Sequence, residues 1–188
     1  MNGREFWLRQ ICMPHILLVS VLLGMFQWTN YWDFVIYFVV SGGVILFTNI
    51  VQFEGRISRI LAVTAAQAAE MVVISYLVIL PFTLKFKTMV QGVALAQHHS
   101  LFYQLVILWG LPVILTVTLI VSVLLEKLRG MKKKSIYRLL EAVSVPDLFA
   151  VILGLCAIGL VMIPELVYVR DIYEKGNARA NTMFKLTY

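Results

Sequence analysis

The polar end of the chain holds many of the side chains able to do chemistry. In Pro164-Glu165-Leu166-Val167-Tyr168-Val169-Arg170-Asp171 an apolar run stops in acids and bases, and Arg179, Asn181 and Lys185 follow. Hydrocarbon does not accept such groups cheaply, so crowding them at one helix end points to a binding surface at the membrane rim. Arginine and lysine suit a phosphate, through charge-assisted hydrogen bonds. Carboxylates with aromatic neighbours suit a sugar ring or a leaving group. Asn30, Trp32 and Asp33, then Lys85, Lys87, His98 and His99, fall at the same predicted level. Each alone is an ordinary solvated helix end; their gathering at one level is less ordinary.

Other chemistry is sparse. Glu70 falls near mid-depth of a predicted span, with Gln67 one turn earlier as its neighbour. A carboxylate there reads either as a hydrogen-bonded packing group or as a step on a proton or substrate pathway. The sequence contains no phosphate-binding glycine loop, no nucleophile elbow and no zinc signature. His98 and His99 are adjacent, so one helix would not present both to the same metal. A divalent ion is compatible with phosphate chemistry, but no ligand set indicates one, and the cofactor is unknown. Cys12 and Cys156 lie inside predicted spans and read as packing residues.

These groups are positioned by a membrane bundle. Hydrophobic residues make up 61% of the chain and charged ones 14%, against about 45–50% and about 25% in soluble proteins. Mean hydropathy is +0.87. At about 20 residues per crossing, the apolar runs give spans near Ile11–Trp28, Asp33–Val51, Arg59–Phe82, Phe102–Leu125 and Asp147–Val169. The expected fold is therefore all-α, a polytopic transmembrane bundle of about five helices, with residues 1–188 as one transmembrane domain.

The net charge of +6 does not indicate nucleic acid, because most cations flank spans. Lys127, Arg129, Lys132, Lys133, Lys134 and Arg138 share one loop, and Arg4, Arg9, Arg56 and Arg59 flank ends on the same side. The positive-inside rule puts that side and the N-terminus in the cytoplasm, with the C-terminal segment outside. Residues 131–143 read as a cytoplasmic interfacial helix, its Ile136, Leu139, Leu140 and Val143 on one face. Ser144 and Asp147 resemble a helix cap. Phe82, Phe86, Val90 and Val93 suggest a second interfacial helix, on the outer side. Ser41-Gly42-Gly43 and Ala62, Ala65, Ala66 and Ala69 offer small-residue faces for helix packing.

Four blocks carry a resemblance: Asn30-Tyr-Trp32-Asp33, Leu80-Pro81-Phe82-Thr-Leu-Lys-Phe86, Pro164-Glu165-Leu-Val-Tyr168-Val-Arg170-Asp171 and Arg179-Ala-Asn181-Thr182-Met-Phe184-Lys185. In order, they resemble the YYY membrane protein family, polytopic proteins grouped with the GT-C glycosyltransferases. The resemblance runs from Asn30 onward. It implies part of a GT-C-like enzyme that takes sugar from a polyprenyl-phosphate carrier at the outer face of a prokaryotic plasma membrane. Arg170, Arg179 and Lys185 would contact the lipid-linked phosphate, with Asp171, Glu165 and Asn181 orienting them or the sugar, and Asn30, Trp32 and Asp33 nearby.

Ala180 stands where the family usually has methionine. The tyrosine-rich segment and the early outer loop in which GT-C enzymes place their catalytic acid have no counterpart here, and Asp33 is not promoted to that role. The chain is therefore expected to be a piece from the C-terminal side of a larger protein, inactive alone. Its partners would be membrane lipid and the remaining helices of a longer chain or a partner subunit. The rival expectation is a non-enzymatic transporter component or assembly scaffold, in which Glu70 matters more than the outer cations.

Overall fold

The computed structural model describes residues 3–86, 92–129, 136–170 and 179–187. Helices α1 (Gly3–Ile11), α2 (Pro14–Thr29), α3 (Tyr31–Gln52), α4 (Ile57–Thr83) and α6 (Ile136–Ala142) belong to one compact unit. Helices α5 (Phe102–Arg129), α7 (Val145–Leu166) and α8 (Ala180–Thr187), with strands β1 (Gly92–Leu95) and β2 (Val167–Arg170), belong to a second. The fold is mostly helical. Four helices, α3, α4, α5 and α7, are long and apolar enough to cross a membrane, and α1 with α2 makes a fifth candidate if the bent pair counts as one span.

In the first unit α4 is the helix around which the others gather. Its buried residues are Ile60, Val63, Gln67, Met71, Ser75 and Ile79. They recur every three or four positions and so line one face. Helix α2 packs there through Ile16 and Leu23, which cluster with Met71 of α4. The approach is close at Gly24, where a Cβ would stand 2.6 Å from Val78 Cβ and 2.9 Å from the Ser75 carbonyl. Small residues and buried hydroxyls permit such approaches between apolar helices. Gln27 Nε2 donates to Ser75 Oγ at 3.3 Å across the same seam.

The packing faces differ from the small-residue stripes expected. Ala62, Ala65 and Ala69 are exposed, and nothing lies within 4 Å of a Cβ built at Gly42. The seam follows the row through Gln67 and Ser75 instead, because hydrogen-bonding groups gain more from a partner in hydrocarbon than methyl groups do.

The first span is broken rather than continuous. The segments Glu5–Ile11 and Pro14–Thr29 meet at 45°, and Cys12 lies at the break. In an unbroken helix the Gln10 carbonyl would accept from the backbone N–H of residue 14, and proline has none. Gln67 Nε2 supplies the donor at 3.0 Å, while Gln67 Oε1 accepts from Asn49 Nδ2 at 2.9 Å. Asn49 Nδ2 also donates to Thr64 Oγ1 at 2.9 Å. Gln67 and Asn49 are 3% and 2% exposed. The break is thus tolerated because a neighbouring helix satisfies it.

Helix α6 buries Leu139 and Leu140 and packs on α3, so part of its apolar face meets protein rather than lipid. Residues 131–135 of the expected interfacial helix lie outside the described residues. Ser144 caps α7 as expected, accepting from the Asp147 N–H at 3.3 Å.

In the second unit α5 and α7 close at Gly154, where a Cβ would come 2.5 Å from Thr116 Cγ2. The last helix was expected to run to Val169, yet it ends at Leu166 and the chain becomes a strand. Val167, Tyr168 and Val169 are β-branched or aromatic and favour a pleated surface. Strand β2 pairs antiparallel with β1, Gly92 opposite Arg170 and Leu95 opposite Val167. Val93 therefore lies in a strand and not in the second interfacial helix expected there; Val90 lies outside the described residues. Glycine suits the entry to β1, since Gly92 has φ 117°.

Replacing Gly24 with valine is expected to lower stability by about 1–3 kcal/mol through overpacking against Val78. Gly42→Ala, at an open position, should leave the melting temperature unchanged or raised. Thermal unfolding in detergent followed by circular dichroism compares the two.

Candidate functional site

The polar cluster of the second unit forms where α7 ends. A helix leaves its last four carbonyls without intrahelical donors, and at α7 each of the four has found one. Ile163 accepts from the Val167 N–H. Pro164 accepts from Arg179 Nη1 at 3.4 Å, and Leu166 from the Ala96 N–H at 2.9 Å. Glu165 lies with its backbone oxygen 2.8 Å from His99 Nδ1. A carbonyl can only accept, so that nitrogen carries the proton. Arg179 and His99 also bring donors to the negative end of the helix dipole, where cations are favoured.

The Glu165 side chain lies in the same last turn and is 6% exposed. Its Oε2 stands 2.6 Å from Arg179 Nη1 and accepts from the Ser100 N–H at 2.8 Å. Its Oε1 accepts from Ser100 Oγ at 2.8 Å, and Ser100 Oγ in turn accepts from Arg179 Nη2 at 2.8 Å. Three chain segments therefore meet on one carboxylate. The guanidinium is held on two of its nitrogens, with the side chain 19% exposed. A cation fixed in this way is prepared to meet an anion without rearranging.

Helix α8 docks by Thr182 and Leu186, which are 2% and 6% exposed and one turn apart. Thr182 Oγ1 accepts from the Val169 N–H at 2.9 Å, closing the edge of β2 that faces away from β1. Between α5, α7 and α8 lies a cavity of about 170 Å³ whose lining includes Trp109, Pro112, Val161 and Leu186. Val161 precedes Glu165 by about one turn of α7, a rise of roughly 6 Å. An apolar cavity thus lies close beneath a buried ion pair.

Of the residues proposed from sequence, Glu165 and Arg179 are brought into contact. Arg170 ends β2 and is exposed; Asn181 is half-buried and Lys185 exposed, both on α8. Asp171 lies outside the described residues. Asn30, Trp32 and Asp33 belong to the first unit, where Asn30 caps α3. It accepts from the Trp32 N–H at 3.4 Å and donates to Asp33 Oδ1 at 3.1 Å. That capping accounts for the Asn-x-Trp-Asp spacing without a ligand. Gln67 is taken up by the break at Pro14, and Glu70 Oε2 is buried with no hydrogen-bond partner among the described residues. Ser100 and the fixed tautomer of His99 were not anticipated; both act on Glu165 across 65 residues or more. Among the described residues, no group of three or more His, Cys, Asp or Glu is placed to hold a metal ion.

Several apolar spans, an internal polar network and a charged cluster at one helix end define an integral membrane protein. The chain belongs to the DUF2298 family of uncharacterized membrane proteins, which it matches over residues 2–146 and 134–188. No curated protein and no solved structure matches it.

Truncating Arg179 to alanine strands a buried carboxylate and is expected to cost about 3–5 kcal/mol. Adding Glu165→Gln should restore part of that loss, because the stranded charge is then gone. Unfolding of both single variants and the double variant in detergent measures the coupling; additive effects would show that the pair is not energetically linked.

Proposed function

We propose that the protein is part of a GT-C-like membrane glycosyltransferase that uses a polyprenyl-phosphate-linked sugar at the outer membrane face. The observation that carries this reading is the pairing of a fixed guanidinium, Arg179, with an apolar cavity about one helical turn deeper. A lipid phosphate has the matching form: an anionic head at the rim and a hydrocarbon chain below it. The resemblance of the Pro164–Asp171 and Arg179–Lys185 blocks to the YYY family supports the same assignment.

Arg170, Arg179 and Lys185 bind the phosphate and stabilise the charge that builds on it as the sugar departs. Glu165 acts through Arg179, which it holds in place together with Ser100. Asn181, and Asp171 as the sequence orders it, complete the polar surface around the head. Asn30, Trp32 and Asp33 shape the outer end of α3, and their contribution is structural.

A second reading, a non-enzymatic transporter component or assembly scaffold, is favoured by one observation. Glu70 Oε2 is buried without a hydrogen-bond partner among the described residues, on a helix of membrane-spanning length. Intramembrane acids of this kind often lie on ion or substrate paths.

Binding of a polyprenyl phosphate to the protein in nanodiscs, followed by native mass spectrometry, separates the two. Arg170→Ala with Lys185→Ala is expected to weaken binding about tenfold or more, a loss of at least about 1.4 kcal/mol. Glu70→Gln should leave it unchanged. Undiminished binding in the first variant would sink the phosphate assignment, and a dominant effect of Glu70→Gln would favour transport.

A further inference from the structure

The turn from α3 to α4 is tightly wound. Glu54 and Gly55 have φ of 51° and 76°, the Gly55 N–H bonds to the Ile50 carbonyl at 3.2 Å, and the Arg56 N–H bonds to the Phe53 carbonyl at 3.0 Å. This winding buries Phe53, at 7% exposure, and leaves Arg56 and Arg59 exposed. Both line the mouth of a cavity of about 160 Å³, together with Gln52, Phe53 and Glu54. That volume is several times the ~30 Å³ share of one water in the liquid.

Charge is poorly balanced at this cavity. Neither guanidinium, nor the Glu54 carboxylate, forms an ion pair among the described residues. Both cations also sit at the start of α4, whose first turn holds no acid, and there the helix dipole disfavours positive charge. An anion held between the guanidiniums relieves both repulsions. Gln52, also in the lining, carries no charge to supply that relief, and its Nε2 donates to Gln10 Oε1 at 3.4 Å.

Depth identifies the source of that anion. Helices α3 and α4 both have membrane-spanning length and apolarity, and both end at this turn. The cavity therefore lies at headgroup level, where basic pockets between helices meet lipid phosphate. The carboxylate in the lining adds a second requirement. It needs hydrogen-bond donors beside the phosphate, which glycerol hydroxyls supply and a quaternary ammonium does not.

We propose that the cavity at the α3–α4 turn binds a membrane phospholipid whose phosphodiester contacts Arg56 and Arg59 and whose headgroup donors contact Glu54. This site belongs to the first unit and is independent of the lipid-phosphate reading of Arg179.

The test uses the whole protein in detergent, with phosphatidylglycerol, phosphatidylcholine or inorganic phosphate added at equal phosphorus concentration. Phosphatidylglycerol is expected to raise the melting temperature and to stay bound in native mass spectra, and the other two are not. Arg56→Gln/Arg59→Gln changes only exposed side chains, so the fold is retained while phosphatidylglycerol affinity falls about tenfold or more. Unaltered affinity in that variant overturns the site. Equal stabilisation by phosphatidylcholine overturns the role of Glu54, and equal stabilisation by inorganic phosphate overturns the lipid as the source.

Discussion

Where water is scarce, a backbone carbonyl without a donor costs free energy on the scale of a lost hydrogen bond. A helix of this protein that stops away from water must therefore find donors elsewhere in the chain. At α7 the imports are Arg179, His99 and Ala96, and they fix what surrounds the helix end. The Glu165 carboxylate lies at the negative pole of the same helix, the least favourable place for an anion. It persists because Ser100 and Arg179 converge on it. Strand β1, the residues after it and α8 are all held to α7 through this one turn.

The first unit meets the same constraint differently. Pro14 removes the donor that Gln10 would have used, and a side-chain amide from α4 replaces it. Gln67 and Glu70 are one turn apart and both polar, but their surroundings separate them. Gln67 is fully engaged with α1 and α3 and serves the fold. Glu70 keeps a buried oxygen with no hydrogen bond among the described residues, so it is the more informative of the two for function.

Much of this architecture was legible in the residues. The spans of α3, α4, α5 and α7 follow from length and apolarity alone, and the Ser144 cap from its spacing to Asp147. Glu165 and Arg179 stood out because charge next to hydrocarbon is costly. Other features left weaker traces. The α1–α2 break is announced only by Pro14, close to where the polar Arg9-Gln10 gives way to the first apolar run. Strand β2 continues the same run as α7, so hydropathy does not separate them, and only Val167 and Val169 hint at the change. The placement of Ser100 and His99 was illegible in principle, since nothing local links them to a residue so distant in sequence. The close approach at Gly24 was hidden for a simpler reason: glycine in an apolar helix shows no periodicity of its own.

The anchoring of three segments on the α7 terminus has a consequence for how the chain can vary. Leu95 pairs with Val167, Ala96 bonds to Leu166, and His99 and Ser100 both reach Glu165, so residues 95 to 100 run in fixed step with the helix end. One inserted residue there would displace several of these bonds together. Chain length between Leu95 and Ser100 is thus held by geometry, and a change there must be matched at the α7 terminus.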